Sequence, residues 1–298
     1  MTTANSNLPI AILGRTGLEV TRLGYGAGHR KDMDDDQRKA VLTAVLDAGI
    51  NYIDTADDYG NSEELIGRYI AHRGSEYFIA TKCGGSPSGH LWTRDNVLRN
   101  LEESLRRLKT DHVDVMQLHG ASVEQCEQEG LVESLQMMRD QGKVRSIGAS
   151  TNLPHLPTFL EWDVFDVFQL PYSALERAHE GWLTAAAEAG AGIVIRGGAA
   201  LGEPGLGSGS EAKWAKYEEA GLDDLRADGE SRTAFAVRFT LTHPDTHSNI
   251  VGTTNPDHLR ENVCAVQQGP LPDDVYTEAK RRLDVVGVTV NALNGSGG

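Results

Sequence analysis

The feature that most constrains this chain is a rhythm. Short apolar runs alternate eight times with longer amphipathic stretches. The runs are VTRLGYG from Val20, YID around Ile53, YFIAT from Tyr77, VDVMQL from Val113, VRSIGAS from Val144, DVFQL from Asp166, GIVI from Gly192 and SNIVG from Ser248. Most are too short for helices and rich in Val, Ile and aromatics, so they read as strands. The stretches between them have helical spacing. Thr93 is placed to cap a helix carrying Val97, Leu98, Leu101, Leu105 and Leu108 on one face. Asp34, Asp35 and Asp36 open another, with Val41, Leu42, Val45 and Leu46 on its apolar face. Gly49 and Gly142 stand where left-handed helix caps are needed. Strand–helix alternation implies parallel strands with right-handed crossovers. Eight units suggest a closed (β/α)8 barrel. A doubly wound open sheet is the alternative, and periodicity alone does not separate the two. Against the open sheet, no Gly-x-Gly-x-x-Gly run follows a strand and opens a helix, and GYGAGHR from Gly24 does not fit that fingerprint. The 298 residues suit one barrel domain over 1–298, since such barrels typically take about 250 residues.

One segment breaks the rhythm. Residues 197–230 are rich in Gly, Glu and Asp and are read as a long loop after the seventh strand. In a barrel that places it on the catalytic face. Residues 294–298, NGSGG, read as a flexible tail. The formal net charge of −15 favours solubility and speaks against a nucleic-acid partner. Cys83, Cys126 and Cys264 are few and far apart, which points to a reducing compartment and, with no signal sequence or membrane-length apolar run, to a cytoplasmic protein. No His-x-His or paired-carboxylate spacing appears at strand ends, so no metal is expected. Oligomeric state is not legible.

Active residues of a barrel gather at the C-terminal ends of its strands. Asp54 ends the second run, Tyr59 follows in DTADDYG, Lys82 ends the third in IATKCG, and His119 ends the fourth in VMQLHG. Their chemistry is complementary. Reducing a carbonyl needs a hydride donor and an acid for the forming alkoxide. A free tyrosine titrates near about 10, too high for that task, and a neighbouring ammonium brings it down. Lys82 is the candidate for that charge, Asp54 for its partner, and His119 for a donor that orients the substrate oxygen.

These four residues resemble the catalytic tetrad of the aldo-keto reductases. GINYIDTADDYGNSEELIGRYI resembles the family signature around the Asp and Tyr. LRRLKTDHVDVMQLHG, GKVRSIGAS, ILGRTGLEVTRLGYG and GTTNPDHLRENV agree in the family's order, over about residues 10 to 285. The resemblance implies a TIM barrel with an N-terminal β-hairpin, NAD(P)H bound extended without a Rossmann fold, and an aldehyde, ketone or alcohol as small-molecule substrate. An alternative within it is a nicotinamide-binding regulatory subunit.

The cofactor residues follow from the same resemblance. Ser150 and Gln169 match contacts to the nicotinamide amide, while Thr151 stands where the family often has asparagine. Arg196 replaces an aromatic that stacks on the nicotinamide. It is read as stacking, as reaching the pyrophosphate, or as pairing with an acid. Gly197 and Gly198 let the backbone approach the diphosphate. Glu261 and Asn262 match contacts to adenine. The 2′-phosphate positions, often lysine and arginine, read Gly252 and His258, with Thr253 and Thr254 alongside. NADP(H) is therefore expected, with NAD(H) as a second cofactor. Specificity is expected from residues near His29, Trp92 and the loop after Arg196, with Trp92 either lining the pocket or packing beneath a loop.

Overall fold

The computed structural model describes residues 8–28 and 34–293. His29 and residues 294–298 lie outside these. Eight strands, all paired parallel, close into a barrel: Leu23–Gly26, Tyr52–Asp54, Phe78–Cys83, Val113–His119, Val144–Ser150, Val167–Pro171, Gly192–Arg196 and Ser248–Val251. We number them first to eighth. The eighth closes on the first, with Asn249 opposite Leu23. Each expected apolar run holds one of these strands, although Val20 and Thr21 of the first run belong to a separate hairpin strand, Glu19–Thr21. The open-sheet alternative is excluded by that closure.

Local chemistry explains the helices. The Thr93 hydroxyl accepts from Asn96 N–H and starts Arg94–Leu108, whose Val97, Leu101, Leu105 and Leu108 are buried. The Asp34 carboxylate caps Asp35–Asp47 by accepting from Gln37 N–H. Asp35 and Asp36 lie in that helix's first turn, where carboxylates offset the positive end of the dipole. Gly49 and Gly142 take positive φ just past their helices. The main core lies between helices and barrel. A second cluster fills the barrel's interior: Leu13, Val20, Tyr52, Ala80, Val115, Val167 and Val194.

Two members of that inner cluster come from outside the barrel. Ile10–Ile12 and Glu19–Thr21 pair antiparallel as an N-terminal hairpin. Its turn carries Leu13, fully buried, against the start of the seventh strand. Arg15 N–H donates to Gly190 O at 2.8 Å. The fit depends on Gly14, which has φ +51° and would place a Cβ 2.2 Å from Gly192 N. Gly14→Ala is therefore expected to destabilise the protein by about 2 kcal/mol or more, through overpacking and left-handed strain. Urea unfolding measures this, and an unchanged midpoint would show that the turn relaxes freely.

The segment after the seventh strand is more structured than its composition suggests. It contains the helix Glu211–Glu219 and the 3-10 turn Leu222–Leu225. Trp214, Tyr217 and Leu222 anchor it in the core. A second, short hairpin, Gly85–Ser86 with Gly89–His90, follows the third strand. Among the described residues, no helix is long and apolar enough to cross a membrane.

Candidate active site

The barrel's register brings Asp54, Lys82 and His119 to one rim. Lys82 lies level with Gln117 of the fourth strand, and His119 with Ser150 of the fifth. Lys82 is completely buried, so its ammonium needs partners for every proton. It donates to Asp54 Oδ2 at 2.6 Å and to Thr55 O at 2.8 Å. Its remaining direction faces Tyr59, with Nζ 3.5 Å from the hydroxyl and 4.7 Å from the ring centroid. Asp54 is held in turn by Gln117 Nε2 at 3.1 Å and Gln169 Nε2 at 2.7 Å, both on Oδ1. A buried ion pair costs desolvation, and full hydrogen bonding is what offsets that cost. Here the carboxylate receives one cation and two amides. The Tyr59 and His119 rings meet edge to face, 5.5 Å between centroids.

The electrostatics differ from the sequence expectation in one respect. Burial raises the Tyr59 phenol, and the nearby Lys82 charge offsets only part of that, so the group sits above its ordinary value. The expectation that Lys82 brings it down overlooked the desolvation of Tyr59 itself. For Lys82, burial opposes the charged form, yet Asp54 and then Tyr59 outweigh it and the ammonium is raised. Next door, burial with Asp58 and Glu63 pushes Asp57 up to about 7.

A cleft of about 400 Å³ opens above Asp54 and Tyr59, within the size range of ligand sites, and Lys82 and His119 are not among its lining residues. Of the expected residues, Asp54, Tyr59, Arg196, Gly197, Gly252, Thr253, Thr254, His258, Glu261 and Asn262 line it. Tyr25, Gly26, Gly28 and Asn255 line it as well and had no sequence signal of their own. Ser150, Thr151 and Gln169 are buried beside it. Ser150 Oγ donates to Gln169 Oε1 at 3.0 Å, so Gln169 spends both ends of its amide on side chains. Gly198 is not among the lining residues, and its missing side chain makes room for Asn249, whose Oδ1 lies 2.3 Å from where a Cβ would stand. Arg196 pairs with the amide of Asn152, Nη2 to Oδ1 at 2.5 Å, rather than with an acid. Trp92 packs under a loop against Gly84 and is not among the cleft-lining residues.

The rim also holds a set that sequence spacing did not reveal. Asp58, His90 and His119 each offer a ligand atom, and these atoms lie within 4.8 Å of one another. Burial would raise Asp58, but His119 and then His90 outweigh it and hold the carboxyl at about 2.

Comparison with known proteins agrees with this geometry. The sequence model of the Aldo/keto reductase family matches residues 22–283. The chain is 28% identical to the uncharacterized oxidoreductase YqkF of Bacillus subtilis (strain 168), covering 88% of this chain and 92% of that one. It is 28% identical to the NADH-specific methylglyoxal reductase of Escherichia coli (strain K12), covering 85% and 90%. Its fold superposes on the aldo-keto reductase AKR11C1 of Bacillus halodurans, holo form, with a TM-score of 0.84 at 24% identity, covering 97% of this chain and all of that one. An eight-stranded parallel barrel, an Asp–Lys–Tyr–His set on its rim and a family match over most of its length place this chain in the aldo/keto reductase family of oxidoreductases.

Proposed function

We propose that this protein transfers hydride between NAD(P)H and an aldehyde or ketone, with Tyr59 as the general acid in reduction and the base in oxidation. The observation that carries the reading is the Lys82 ammonium. It is anchored by Asp54 and Thr55 and turned toward the Tyr59 hydroxyl at the floor of the cleft.

The cleft residues fit a dinucleotide. An extended diphosphate needs backbone close by and little side-chain bulk. Gly26, Gly28, Gly197 and Gly252 supply that. The start of helix Pro256–Gln267, where N–H groups favour anions, would hold the adenosine end. Thr253, Thr254, Asn255, His258, Glu261 and Asn262 line that end. At the other end, Arg196 and Gly197 would hold the nicotinamide, together with Ser150, Thr151 and Gln169. The bound nicotinamide supplies or accepts the hydride. Tyr59 holds the proton that the substrate oxygen receives. His119 donates to the same oxygen and fixes its direction. Lys82 stabilises the phenolate left after transfer, and Asp54 keeps Lys82 charged and in place. The direct test is consumption of reduced nicotinamide with 4-nitrobenzaldehyde. No turnover with either cofactor would sink the reading.

The raised phenol sets the pH dependence. Tyr59 stays protonated through neutrality, so reduction should be flat there and decline only in strong alkali. Oxidation of an alcohol needs the phenolate and should climb steadily with pH. A reduction rate that falls between pH 6 and 8 would assign the acid elsewhere.

Cofactor choice follows from the cations present. Among the described residues lining the cleft, Arg196 is the only Lys or Arg, and it lies at the nicotinamide end. Arg260 is 72% exposed, pairs with Asp257 and is not among the cleft-lining residues. The 2′-phosphate of NADP(H) is then left to hydroxyls, the helix start and His258. Neutral hydrogen bonds give roughly 0.5–1.5 kcal/mol each, against about 1.5–3 for charged ones. NADP(H) is used, but with weak discrimination against NAD(H); the name of the Escherichia coli relative is in keeping with a site poor in fixed cations. NADPH should therefore bind no more than about tenfold tighter than NADH, and His258→Ala should narrow that difference further. Dissociation constants for both cofactors, measured on the parent and on His258→Ala, check this. A strong NADPH preference that survives His258→Ala would overturn it.

A further inference from the structure

We propose that Asp58, His90 and His119 form a binding site for a divalent transition-metal ion, Zn²⁺ above all, that inhibits the reductase. Three separate elements supply them. Asp58 lies in the loop after the second strand, His90 ends the short hairpin after the third, and His119 ends the fourth strand. Asp58 sits between the imidazoles. Its Oδ1 lies 3.2 Å from His119 Nδ1, and its Oδ2 lies 3.1 Å from His90 Nε2. The two rings are 5.1 Å apart. His119 Nδ1 is buried and has no aligned hydrogen-bond partner, although the carboxylate is close. A buried ring nitrogen beside an anion, with a second imidazole facing the same anion, is a donor arrangement that a cation completes.

The donor set selects the metal. Two imidazoles and one carboxylate suit Zn²⁺, and Mg²⁺ and Ca²⁺ prefer oxygen alone. Three protein ligands leave a fourth position open. The Asp58 and His90 side chains are 30% and 39% exposed, so an ion reaches them from solvent and a water fills the last place. Bonds of about 2.0–2.2 Å set ligand atoms roughly 3.3–3.5 Å apart. The atoms here span up to 4.8 Å, so coordination must draw them together. That movement carries His119 with it. A displacement of about 1 Å in a positioning group can cost on the order of 100-fold in rate. The inhibition rests on the reading of His119 as the donor to the substrate oxygen; the binding does not.

The experiment uses the full chain with Cys264→Ser, which removes the exposed thiol as a competing ligand. Zn²⁺ is titrated by calorimetry, Co²⁺ by visible absorption, and aldehyde reduction is followed in parallel. One equivalent of Zn²⁺ is expected to bind, Co²⁺ to give the intense bands of a four-coordinate site, and turnover to fall and return on adding chelator. Losing outer-shell partners alone weakens metal sites 10–100-fold, so His90→Ala and Asp58→Asn should each weaken binding by at least about 100-fold. His90→Ala should keep its metal-free turnover and resist inhibition. Absence of binding, or binding that persists in both variants, overturns the site. Binding lost in both variants with turnover untouched in the parent upholds the site and refutes only the role given to His119.

Discussion

Replacing Tyr59 with phenylalanine should lower aldehyde reduction by about 10²–10⁴-fold while changing the dissociation constant of the reduced nicotinamide by no more than about threefold. The rate factor is what a positioned general acid contributes. The hydroxyl is the only group removed, and Lys82 Nζ lies 3.5 Å from it. The ring stays, and with it the edge contact to His119 and the packing against Gly28, where a Cβ would lie 3.3 Å from the ring. Fold and cleft should therefore be intact. Pre-steady-state mixing separates the two effects, since binding is read from cofactor fluorescence and chemistry from its absorbance. A variant that turns over within a few-fold of the parent would take the proton from another donor and dissolve the assignment.

The second large effect is on stability as well as rate. Lys82→Met should abolish turnover and also cost about 3–5 kcal/mol, the usual consequence of breaking a buried ion pair. The Lys82 side chain is wholly buried and that of Asp54 is 2% exposed, so Met leaves a carboxylate with two amide donors and no cation. The double variant Lys82→Met/Asp54→Asn removes both charges, and it should recover most of the lost stability while remaining inactive. That combination separates the scaffold from the chemistry. Urea midpoints and turnover measured on the single and double variants check it. If the single variant were as stable as the parent, the Lys82–Asp54 pair would not be the anchor that holds Lys82 toward Tyr59.

Much of the barrel was legible because its strands are buried on both faces. Such strands read as continuous apolar runs, and Thr93 and Asp34 mark helix starts with side chains that bond the backbone locally. The Asp54, Lys82 and His119 positions were legible because residues of complementary chemistry end three successive apolar runs. What stayed hidden depends on pairs far apart in sequence. Gln117 and Gln169 both hold Asp54, and nothing local announces it. His90 sits on two-residue strands, too short for any periodicity, so its meeting with Asp58 had no sequence trace. Trp214 and Tyr217 anchor the segment after the seventh strand, where high glycine and charge content suggested a loop.

The N-terminal hairpin has a consequence for how the molecule is made. Leu13 and Arg15 seat against residues 190–192, and the first strand pairs with the eighth. A nascent chain therefore carries its plug and its first strand through most of translation before either can dock. The barrel's base, where Leu13 and Val20 meet Tyr52, Ala80, Val115, Val167 and Val194, stays wet until the seventh strand has emerged. Contacts so distant in sequence make closure slow. During that interval the exposed apolar strands are open to wrong pairing. Shortening the separation by circular permutation, with new termini on the helix-flanking loops, should let the same barrel close sooner without altering its rim.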